Sequence, residues 1–593
     1  MNAIPSWCRP EAPRLWRLTD SDFSGDETAN AARVYADARL ARIAEEGFTG
    51  VWLGARLYEL MDSAVFPELN VPGRQARLDS LNALGERARR FGLGVYLYFN
   101  DPAGLDTDHP FWRAHPGLRG SSKWHLHALC TSAPEVQAFL RQAVGSAMAG
   151  LPGLAGVVLI TACENLTHCW SKIRRRQGAP PPECPRCRER EPADLVIELL
   201  DVWAAARRAH PRPFRLWAWN WEWAQWYEDP QREIVGRLPD GVELLLDLEF
   251  GGHKTWRGRD MPIGEYALSY VGPSDRLVAT QDAVAGRGIP THAKVQINTT
   301  HELCTVPNLP LLATLHGKLR ALCERRIDGF MGCWSIGTQF TLNTFAVRLF
   351  LRSPQPYFDE EVFLRDLAAE YLGITDGAEL VLTAWRGFSE AFKAYPFSVP
   401  MLYRGPQNDA PGRVLSLDFE GRPIGRSFMP DEPGDDLTPC LEGFDLDDVV
   451  AAFAAIRDGW LAVLPGYLAA LDGRRGRVTD AQRRHRIEEA SCARMLGHQF
   501  RSIVNVFAFY REQRRQMGEL GLRPPCRLPP GPGLLAILAD EIANTEAALP
   551  VVEADPRLGF HEEFHGHKYD ATALRAKLVR LRGELGLGEL PAV

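Results

Sequence analysis

The segment GVVLITACEN, residues 156–165, decides the fold class of this chain. It is almost continuously apolar until it reaches the carboxylate of Glu164, and such a run predicts a strand that is covered on both faces. A second segment, AKVQINTTHE at residues 293–302, also runs into a carboxylate, that of Glu302. Carboxylates at the carboxyl ends of buried parallel strands are typical of a (β/α)8 barrel, because those ends converge on one mouth.

Strand-like segments alternate with amphipathic helices over the first 350 or so residues, which is the pattern of a parallel sheet. The predicted strands are 50–55, 94–100, 126–131, 156–165, 215–222, 242–250, 292–302 and 329–337. The predicted helices between them include 78–91, 133–149, 193–209 and 311–325. Eight such units predict an α/β fold, a closed (β/α)8 TIM barrel. An open doubly wound sheet is the alternative, but no glycine-rich phosphate loop follows the first predicted strand.

The composition changes after the barrel pattern ends. We predict a (β/α)8 catalytic barrel over residues 1–352, a barrel tail and linker loop over 353–447, and a C-terminal helical domain over 448–593. Residues 408–447 are rich in proline, glycine and aspartate, which indicates a loop. The last part is rich in alanine, leucine, arginine and glutamate, which favour helices.

Composition and charge exclude several partners. The 593 residues are 45% hydrophobic and 24% charged, which is ordinary for a folded domain, and the net charge is -7. An acidic balance argues against nucleic acid and against an anionic membrane as partners. We find neither a secretory signal nor a run of about 18 apolar residues that would span a bilayer. The sequence therefore predicts a cytoplasmic protein with a small substrate, and it is compatible with a homo-oligomer.

The strand ends are expected to bring two catalytic carboxylates together. Hydrolysis of a glycosidic bond requires an acid for the leaving oxygen and a second carboxylate that attacks or activates water. On strands four and seven, Glu164 and Glu302 face each other across the mouth, which suits the short separation of a retaining mechanism. Glu164 is predicted to protonate the leaving oxygen, and Glu302 to attack the anomeric carbon. Glu222 and Glu249 are alternatives to Glu302.

Other polar and aromatic residues at the strand ends are predicted to bind substrate. Sugar hydroxyls are bound by carboxylates, amides and imidazoles, and sugar rings stack on aromatic faces. The predicted substrate-binding residues are Asp101, Asn165, Asn220, Glu222, Asp247, Glu249, His301 and Trp334.

The strand ends resemble those of the large clan of retaining β-glycosidases, which place acid/base and nucleophile glutamates on strands four and seven. Glu164, Glu302 and Trp334 carry this resemblance, which implies cleavage of a small β-linked glycoside with retention. The clan usually has asparagine before the strand-four glutamate, whereas here Cys163 precedes it and Asn165 follows it.

Three alternatives stay open. The substrate-assisted N-acetylhexosaminidases are similar, with Asp247 or Glu249 orienting the acetamido group. The α-glucuronidases are also similar, and they would imply inversion and a uronate pocket at Arg56 or Lys254. A different class of protein, a non-catalytic sugar-binding scaffold, is also compatible with the same residues.

A cysteine cluster follows the fourth predicted strand. Cys184 and Cys187 form a Cys-x-x-Cys pair, and Cys169 lies upstream. This pattern predicts a structural zinc site, with His168 as fourth ligand and Cys163 or Cys130 as alternatives to it. Several β-galactosidases of the same clan carry a similar four-cysteine zinc cluster beside strand four. No cofactor is expected to be required for catalysis itself.

Overall fold

The computed structural model describes residues 4–18, 26–162, 165–473 and 478–586. Eight parallel strands close into a barrel in which each strand pairs with its sequence neighbours and the last pairs with the first. We number these barrel strands β1 to β8 in chain order. They are Arg14–Trp16 (β1), Gly50–Gly54 (β2), Gly94–Phe99 (β3), Gly156–Ile160 (β4), Arg215–Trp219 (β5), Val242–Asp247 (β6), Thr291–Lys294 (β7) and Gly329–Met331 (β8). The predicted TIM barrel is confirmed.

Two strand assignments made from the sequence are wrong. The barrel begins at β1, a three-residue strand that was not predicted and that pairs with both β2 and β8. The predicted third strand is instead Leu126–Leu129, which lies in a separate antiparallel sheet with Leu105–Asp106 and Arg119–Lys123. Because one strand was missed and another was misplaced, the predicted fourth and seventh strands keep their numbers as β4 and β7.

Aromatic side chains fill the barrel interior. Trp52, Tyr96, Tyr98, Trp217 and Trp219 are all buried there, where many barrels place branched aliphatic residues. Room for them comes from glycines at the strand starts. A Cβ on Gly156 would lie 2.2 Å from the ring of Tyr96, so a side chain at this position would collide with the ring.

Helices surround the barrel and join its strands. Those longer than four residues are Glu27–Val34, Asp37–Glu45, Arg74–Arg90, Pro134–Ala149, Pro192–Ala209, Asp275–Val284, Leu312–Glu324 and Leu342–Arg352. Single-turn helices lie at Leu57–Leu60, Phe111–Ala114 and Arg232–Val235. The four helices predicted between strands match observed helices to within four residues at each end.

A helical region follows the barrel. Its helices are Glu360–Leu372, Ala378–Phe392, Val399–Arg404, Leu446–Asp472, Asp480–Leu520, Pro532–Ala554 and Ala571–Glu584. Ala378–Phe392 packs on Leu446–Asp472, which packs on Asp480–Leu520. Glu360–Leu372 and Ala378–Phe392 also pack on the barrel helix Leu312–Glu324. The predicted domain boundary at residue 448 stays a prediction.

One helix among the described residues, Leu446–Asp472, is long and apolar enough to cross a membrane by length and composition alone. From the sequence, no run of about 18 apolar residues was expected. In the structure this helix packs between two others and buries Phe453, Trp460 and Tyr467. Length and composition are therefore weak evidence for a membrane span here.

Pairs of short antiparallel strands lie in the loops. They are His253–Trp256 with Arg259–Pro262, Asp418–Phe419 with Cys526–Arg527, and Phe560–His561 with Gly566–His567. The last pair forms a hairpin near the C-terminus, and we call residues 560–567 the C-terminal hairpin.

Candidate active site at the barrel mouth

A cavity of about 700 Å³ opens at the carboxyl ends of β2, β3, β4 and β8. This volume lies in the range of small-ligand sites. Three of the predicted substrate-binding residues line it, namely Asp101, Asn165 and Trp334. The structure therefore places a ligand-sized cavity at the end of the barrel where active sites of this fold are found.

Trp334, which follows β8, gives the cavity an aromatic wall. Its ring stacks on Trp52 with centroids 5.0 Å apart, and it meets Tyr98 edge-on at 5.2 Å. A third contact, edge-to-face with Trp219 at 5.6 Å, ties it to the barrel interior. An indole fixed on several sides is a rigid platform for the apolar face of a sugar ring.

Asp247 ends β6 and points into the barrel beside Lys294 of β7, its partner in the strand register. The indole nitrogen of Trp219 donates to Asp247 Oδ2 at 3.0 Å, while Oδ1 is buried and accepts no hydrogen bond from any residue that the structure describes. Burial raises the pKa of Asp247 to about 7, although Trp219 and Lys294 both act to lower it. This carboxyl group is therefore able to hold a proton near neutral pH.

Lys294 supplies the cation next to Asp247. Its ammonium donates to Gln296 Oε1 at 2.5 Å and lies 4.2 Å from the ring centroid of Tyr266. Burial lowers the pKa of Lys294 to about 8. A lysine here was not predicted to be functional, because its position inside an apolar strand gave no signal of a site.

Glu265 is a second buried carboxyl group near the mouth that the sequence analysis missed. The backbone N–H of Tyr266 donates to its Oε1 at 3.1 Å, and the Tyr403 hydroxyl donates to Oε2. Burial is the main cause that raises the pKa of Glu265 to about 8, and the charges of Asp247 and Glu563 add to it. Glu265 lies in a loop rather than at a strand end, so strand patterns could not reveal it.

Glu302, the predicted nucleophile, lies in a different environment. Its carboxylate is fully buried and accepts hydrogen bonds from Leu268 N at 2.5 Å, from Thr300 Oγ1 at 2.9 Å and from Ser269 N at 3.3 Å. Neither Glu302 nor Asp247 is among the residues that line the cavity. Both Glu302 oxygens accept backbone hydrogen bonds, whereas Asp247 Oδ1 accepts none from the described residues. These contacts hold the segment that carries Glu265, so they favour a positioning role over nucleophilic attack.

The same segment is held by two lysines, of which Lys318 is buried and Lys254 is half-buried. Lys254 donates to Ser269 Oγ at 2.6 Å and to Tyr395 O at 2.7 Å. Lys318 donates to Ala267 O at 2.7 Å and to Glu249 Oε1 at 2.5 Å. Lys254 therefore holds this segment in place and is not a uronate ligand.

The remaining predicted residues take varied positions. Glu249 forms a fully buried pair with Lys318, which makes it part of the scaffold. Glu222 has a left-handed backbone, with φ 57°, and contacts Lys172 at 3.6 Å outside the cavity wall. Asn220, after β5, is buried, and neither of its side-chain polar atoms has a hydrogen-bond partner among the described residues. Buried polar atoms are usually paired, so Asn220 is suited to a polar ligand.

Asp101 and His301 are both buried near the cavity. The backbone N–H of Leu57 donates to Asp101 Oδ1 at 3.1 Å, and burial raises the pKa of Asp101 to about 7. His301 packs edge-on against Tyr403 and Phe428, and burial lowers the pKa of its imidazole.

Residues from beyond the barrel complete the cavity. Phe428 and Met429 come from the long loop before the last helices, and Glu563 and His565 come from the C-terminal hairpin. None of these was predicted as a site residue, because their distance along the sequence from the strand ends hides their proximity in space. Glu164 and Cys163 lie outside the described residues, so the predicted role of Glu164 stays a prediction.

Four buried cysteines form a compact cluster beside this mouth. The Sγ atoms of Cys130, Cys169, Cys184 and Cys187 all lie within 4.8 Å of one another. Cys130 Sγ is 3.5 Å from Cys184 Sγ and 3.7 Å from Cys187 Sγ. Thiolates that bind one zinc tetrahedrally at about 2.3 Å lie roughly 3.8 Å apart, so this donor set fits the metal.

The fourth member of the cluster corrects the sequence prediction. His168 is buried, but its Nδ1 accepts a hydrogen bond from Trp170 N at 3.2 Å and it does not belong to the cluster. Cys130, named as an alternative, takes that place. It follows the small sheet after β3, so the cluster joins the loop after β3 to the loop after β4.

Comparisons with known proteins give a fold but no family. No protein-family model matches the chain, and no curated protein matches it. A GH138 enzyme that targets pectin rhamnogalacturonan II superposes with a TM-score of 0.53 at 9% identity, over 98% of this chain and 68% of that chain. An O-GlcNAc hydrolase from Thermobaculum terrenum gives 0.36 at 10% identity, over 97% and 95% of the two chains.

A third similar structure, a GH5_4 protein in complex with a cellotriose, gives a TM-score of 0.35 at 15% identity, over 58% of this chain and 95% of that chain. Of these three structures, the GH138 enzyme alone has a score high enough to indicate a shared fold. That likeness agrees with the barrel and helical region described above.

Proposed function

We propose that this protein is a glycoside hydrolase that cleaves a small β-linked glycoside at the barrel mouth. The observation that carries the proposal is Asp247, a buried carboxyl group with a pKa of about 7 that is linked through Trp219 to the Trp334 platform. A carboxyl group that keeps its proton at neutral pH is what a glycosidase needs as general acid. The fold shared with a GH138 enzyme supports the same class.

The proposed mechanism uses one carboxyl group from β6 and one from the end of β4. Asp247 gives its proton to the leaving oxygen while the C–O bond breaks. Glu164 is proposed as the second carboxylate, which attacks the anomeric carbon as the bond to the leaving oxygen breaks and forms a glycosyl ester. Water then attacks the anomeric carbon, gives a proton back to Asp247 and releases Glu164 and the sugar. This assignment gives Asp247 the acid role that was predicted for Glu164. It gives Glu164 the nucleophile role that was predicted for Glu302, whose oxygens accept hydrogen bonds from backbone N–H groups. Retention, predicted from the sequence, becomes part of the proposal.

Hydrolysis of a panel of aryl glycosides tests the activity. We expect the wild type to cleave at least one member and Glu164→Gly to lose turnover. If Glu164 is the nucleophile, azide restores turnover of an activated aryl glycoside in that variant and yields a glycosyl azide. Rescue in Glu302→Gly instead of Glu164→Gly would contradict the assignment, and NMR of the first-formed product decides between retention and inversion.

A second candidate substrate is a uronide, because Arg56 and Arg77 line the cavity. Asp26 binds Arg77 at 2.8 Å, which leaves Arg56 as the better partner for a sugar carboxylate. On this alternative, Arg56→Met would lower turnover of an aryl uronide about 100-fold and leave an aryl hexoside unaffected. Equal effects on both substrates would exclude it.

We also propose that the four-cysteine cluster binds one structural zinc ion. Cys130, Cys169, Cys184 and Cys187 would hold it with no open position, so the metal would link two loops rather than take part in catalysis. We expect one zinc per chain by mass spectrometry and a lower unfolding temperature after chelation. Cys130→Ser should lose the metal, whereas His168→Ala and Cys440→Ser should keep it. Metal retained in Cys130→Ser would contradict the ligand set.

A further inference from the structure

The C-terminal hairpin reaches across to the barrel mouth. Glu563 and His565 line the same cavity as Trp334 and Asp101, although more than 200 residues separate them in the sequence. His565 has a left-handed backbone with φ 51°, a conformation that costs energy in a residue other than glycine. The hairpin therefore has an energetically unfavourable backbone conformation at a residue that lines the cavity.

Several contacts fix the hairpin to the barrel loops. Thr338, which follows β8, donates from its backbone N–H and from its hydroxyl to Glu562, each at 3.0 Å. Gly559 N donates to Thr305 O at 2.8 Å in the loop after β7. Gly559 has φ 83°, and a Cβ there would lie 1.8 Å from Tyr569 O, so only glycine fits this position. The hairpin is thus anchored to the loops that follow β7 and β8.

Glu563 has an environment that a purely structural carboxylate would not favour. Its side chain is 17% exposed, the Ser335 hydroxyl donates to Oε1, and His301 Nε2 lies 3.5 Å from Oε2. Because burial lowers the pKa of His301, that imidazole is neutral at pH 7 and does not balance the charge. Within the described residues, no lysine or arginine forms an ion pair with Glu563.

Other glutamates in the molecule show the contrast. Glu541 and Glu249 are fully buried, and each is paired with a lysine, Lys577 and Lys318 respectively, at 2.5 Å. A largely buried carboxylate costs free energy unless it is paired, so these pairs are the arrangement that stability favours. Glu563 is instead kept without a cation, next to the residue that follows the Trp334 platform.

We propose that Glu563 is a substrate-binding residue that the C-terminal region contributes to the active site. Its carboxylate accepts hydrogen bonds from two hydroxyl groups of a sugar ring that stacks on Trp334. This inference rests on the proposed glycoside hydrolase function, because it assigns the sugar to the same cavity. It also makes the helical C-terminal region part of the catalytic unit rather than an appendage of the barrel.

Kinetics of Glu563→Gln test the inference on a substrate that the wild type hydrolyses. We expect kcat/KM to fall by about 10- to 100-fold, mainly through KM, because hydrogen bonds to a charged acceptor are lost while the shape is kept. The unfolding temperature should not fall. Glu553→Gln, which changes an exposed glutamate paired with Arg575, should leave kcat/KM unchanged.

Glu562→Gln separates anchoring from binding. This variant weakens the contact with Thr338, so we expect the unfolding temperature and kcat/KM to fall together. Unchanged kcat/KM in Glu563→Gln would overturn the inference and leave the proposed function standing.

Failure of the proposed function has a different signature, namely that the wild type cleaves no glycoside. Binding would then be measured by saturation-transfer NMR with methyl glycosides of glucose, galactose, N-acetylglucosamine and glucuronic acid. Binding that is present in the wild type and lost in Glu563→Gln would support the role of Glu563. Binding that is equal in both, or absent from the wild type, would overturn it.

Discussion

Two carboxyl groups of the same strand, one at the floor of the barrel and one at its mouth, differ in their hydrogen-bond partners. Glu243 and Asp247 lie four residues apart on β6, and both are buried. At the floor, Glu243 Oε2 accepts hydrogen bonds from Trp217 Nε1 at 3.0 Å and from Arg215 at 3.0 Å, and lies 2.7 Å from His292 Nε2. At the mouth, within the part of the chain that the structure describes, Asp247 Oδ2 accepts one hydrogen bond and Oδ1 accepts none.

The pKa values follow these surroundings. Burial acts to raise the pKa of Glu243, but contacts with His292 and Arg215 outweigh it and hold the pKa below its ordinary value. Burial dominates at Asp247 and raises the pKa to about 7. The same strand therefore carries a carboxylate that stabilises the fold and a carboxyl group that is available for proton transfer. This agrees with the division of barrels into a stability face and a catalytic face.

The largest effect on turnover is expected from Asp247→Asn, which tests whether the carboxyl group at the barrel mouth is the general acid. The amide keeps the size of the side chain but cannot deliver a proton, so kcat should fall by about 10²- to 10⁴-fold. The unfolding temperature should stay the same or rise, because a buried ionisable group is removed. Steady-state kinetics and thermal unfolding measure the two quantities, and a variant that loses stability but not turnover would reverse the assignment of the mouth.

Glu243→Gln tests the floor. An amide cannot satisfy Trp217, Arg215 and His292 as the carboxylate does, so the free energy of unfolding should fall by about 2–3 kcal/mol. Turnover per folded molecule should be unchanged, because the floor does not touch the cavity. Chemical denaturation, combined with active-site titration at a temperature where the variant is folded, provides the check, and a selective loss of kcat would contradict it.

The pH dependence of stability should also differ between the two ends. Asp247 and Glu265, with pKa values of about 7 and 8, hold protons in the folded state that the unfolded chain has already released. Stability should therefore fall as pH rises from about 4 to 8. Glu243 has a lowered pKa, so its contribution is present above its ordinary value and is lost as pH falls through the folded-state value.

Asp247→Asn and Glu243→Gln separate these two contributions in thermal unfolding across pH. The first variant should flatten the decline toward alkaline pH, and the second should flatten the decline toward acid pH. Turnover of the wild type should fall about tenfold per pH unit above pH 7, as Asp247 loses its proton. An activity that stays constant to pH 9 would exclude Asp247 as the acid.

The smallest effect is expected from Asn220→Ala at the mouth. Neither polar atom of this buried amide is paired with a described residue, so removing both atoms should not destabilise the protein. If the amide binds substrate, KM should rise about 5- to 10-fold with little change in unfolding temperature. A clear loss of stability without a change in KM would mean that Asn220 serves the scaffold.

The sequence predicted the barrel strands correctly where a strand is long and apolar. Residues 156–160 and 242–247 form almost unbroken apolar runs, and both are barrel strands. Arg14–Trp16 has three residues, follows Pro13 and includes an arginine, so no periodic pattern could reveal it. Leu126–Leu129 has a strand-like composition that does not specify which sheet it joins.

Only part of the candidate site could be predicted from the sequence. Position at a strand end predicted Asp101, Asn165, Trp334 and Asp247 near the mouth, because the end of a strand fixes its place in the barrel. Position at a strand end did not predict that the Glu302 side chain turns away from the cavity toward backbone N–H groups. Glu265 and Glu563 come from loops, whose placement depends on tertiary contacts that no local pattern encodes.

The anchored C-terminal hairpin also has a consequence for how the protein is made. Synthesis proceeds from the N-terminus, and domains fold as they emerge. All eight barrel strands are complete once residue 331 has been added, yet the wall of the cavity waits for residues 560–567. A nascent chain thus carries a closed barrel well before it carries a finished binding site, because the site is complete only after residues 560–567 have been added and have folded.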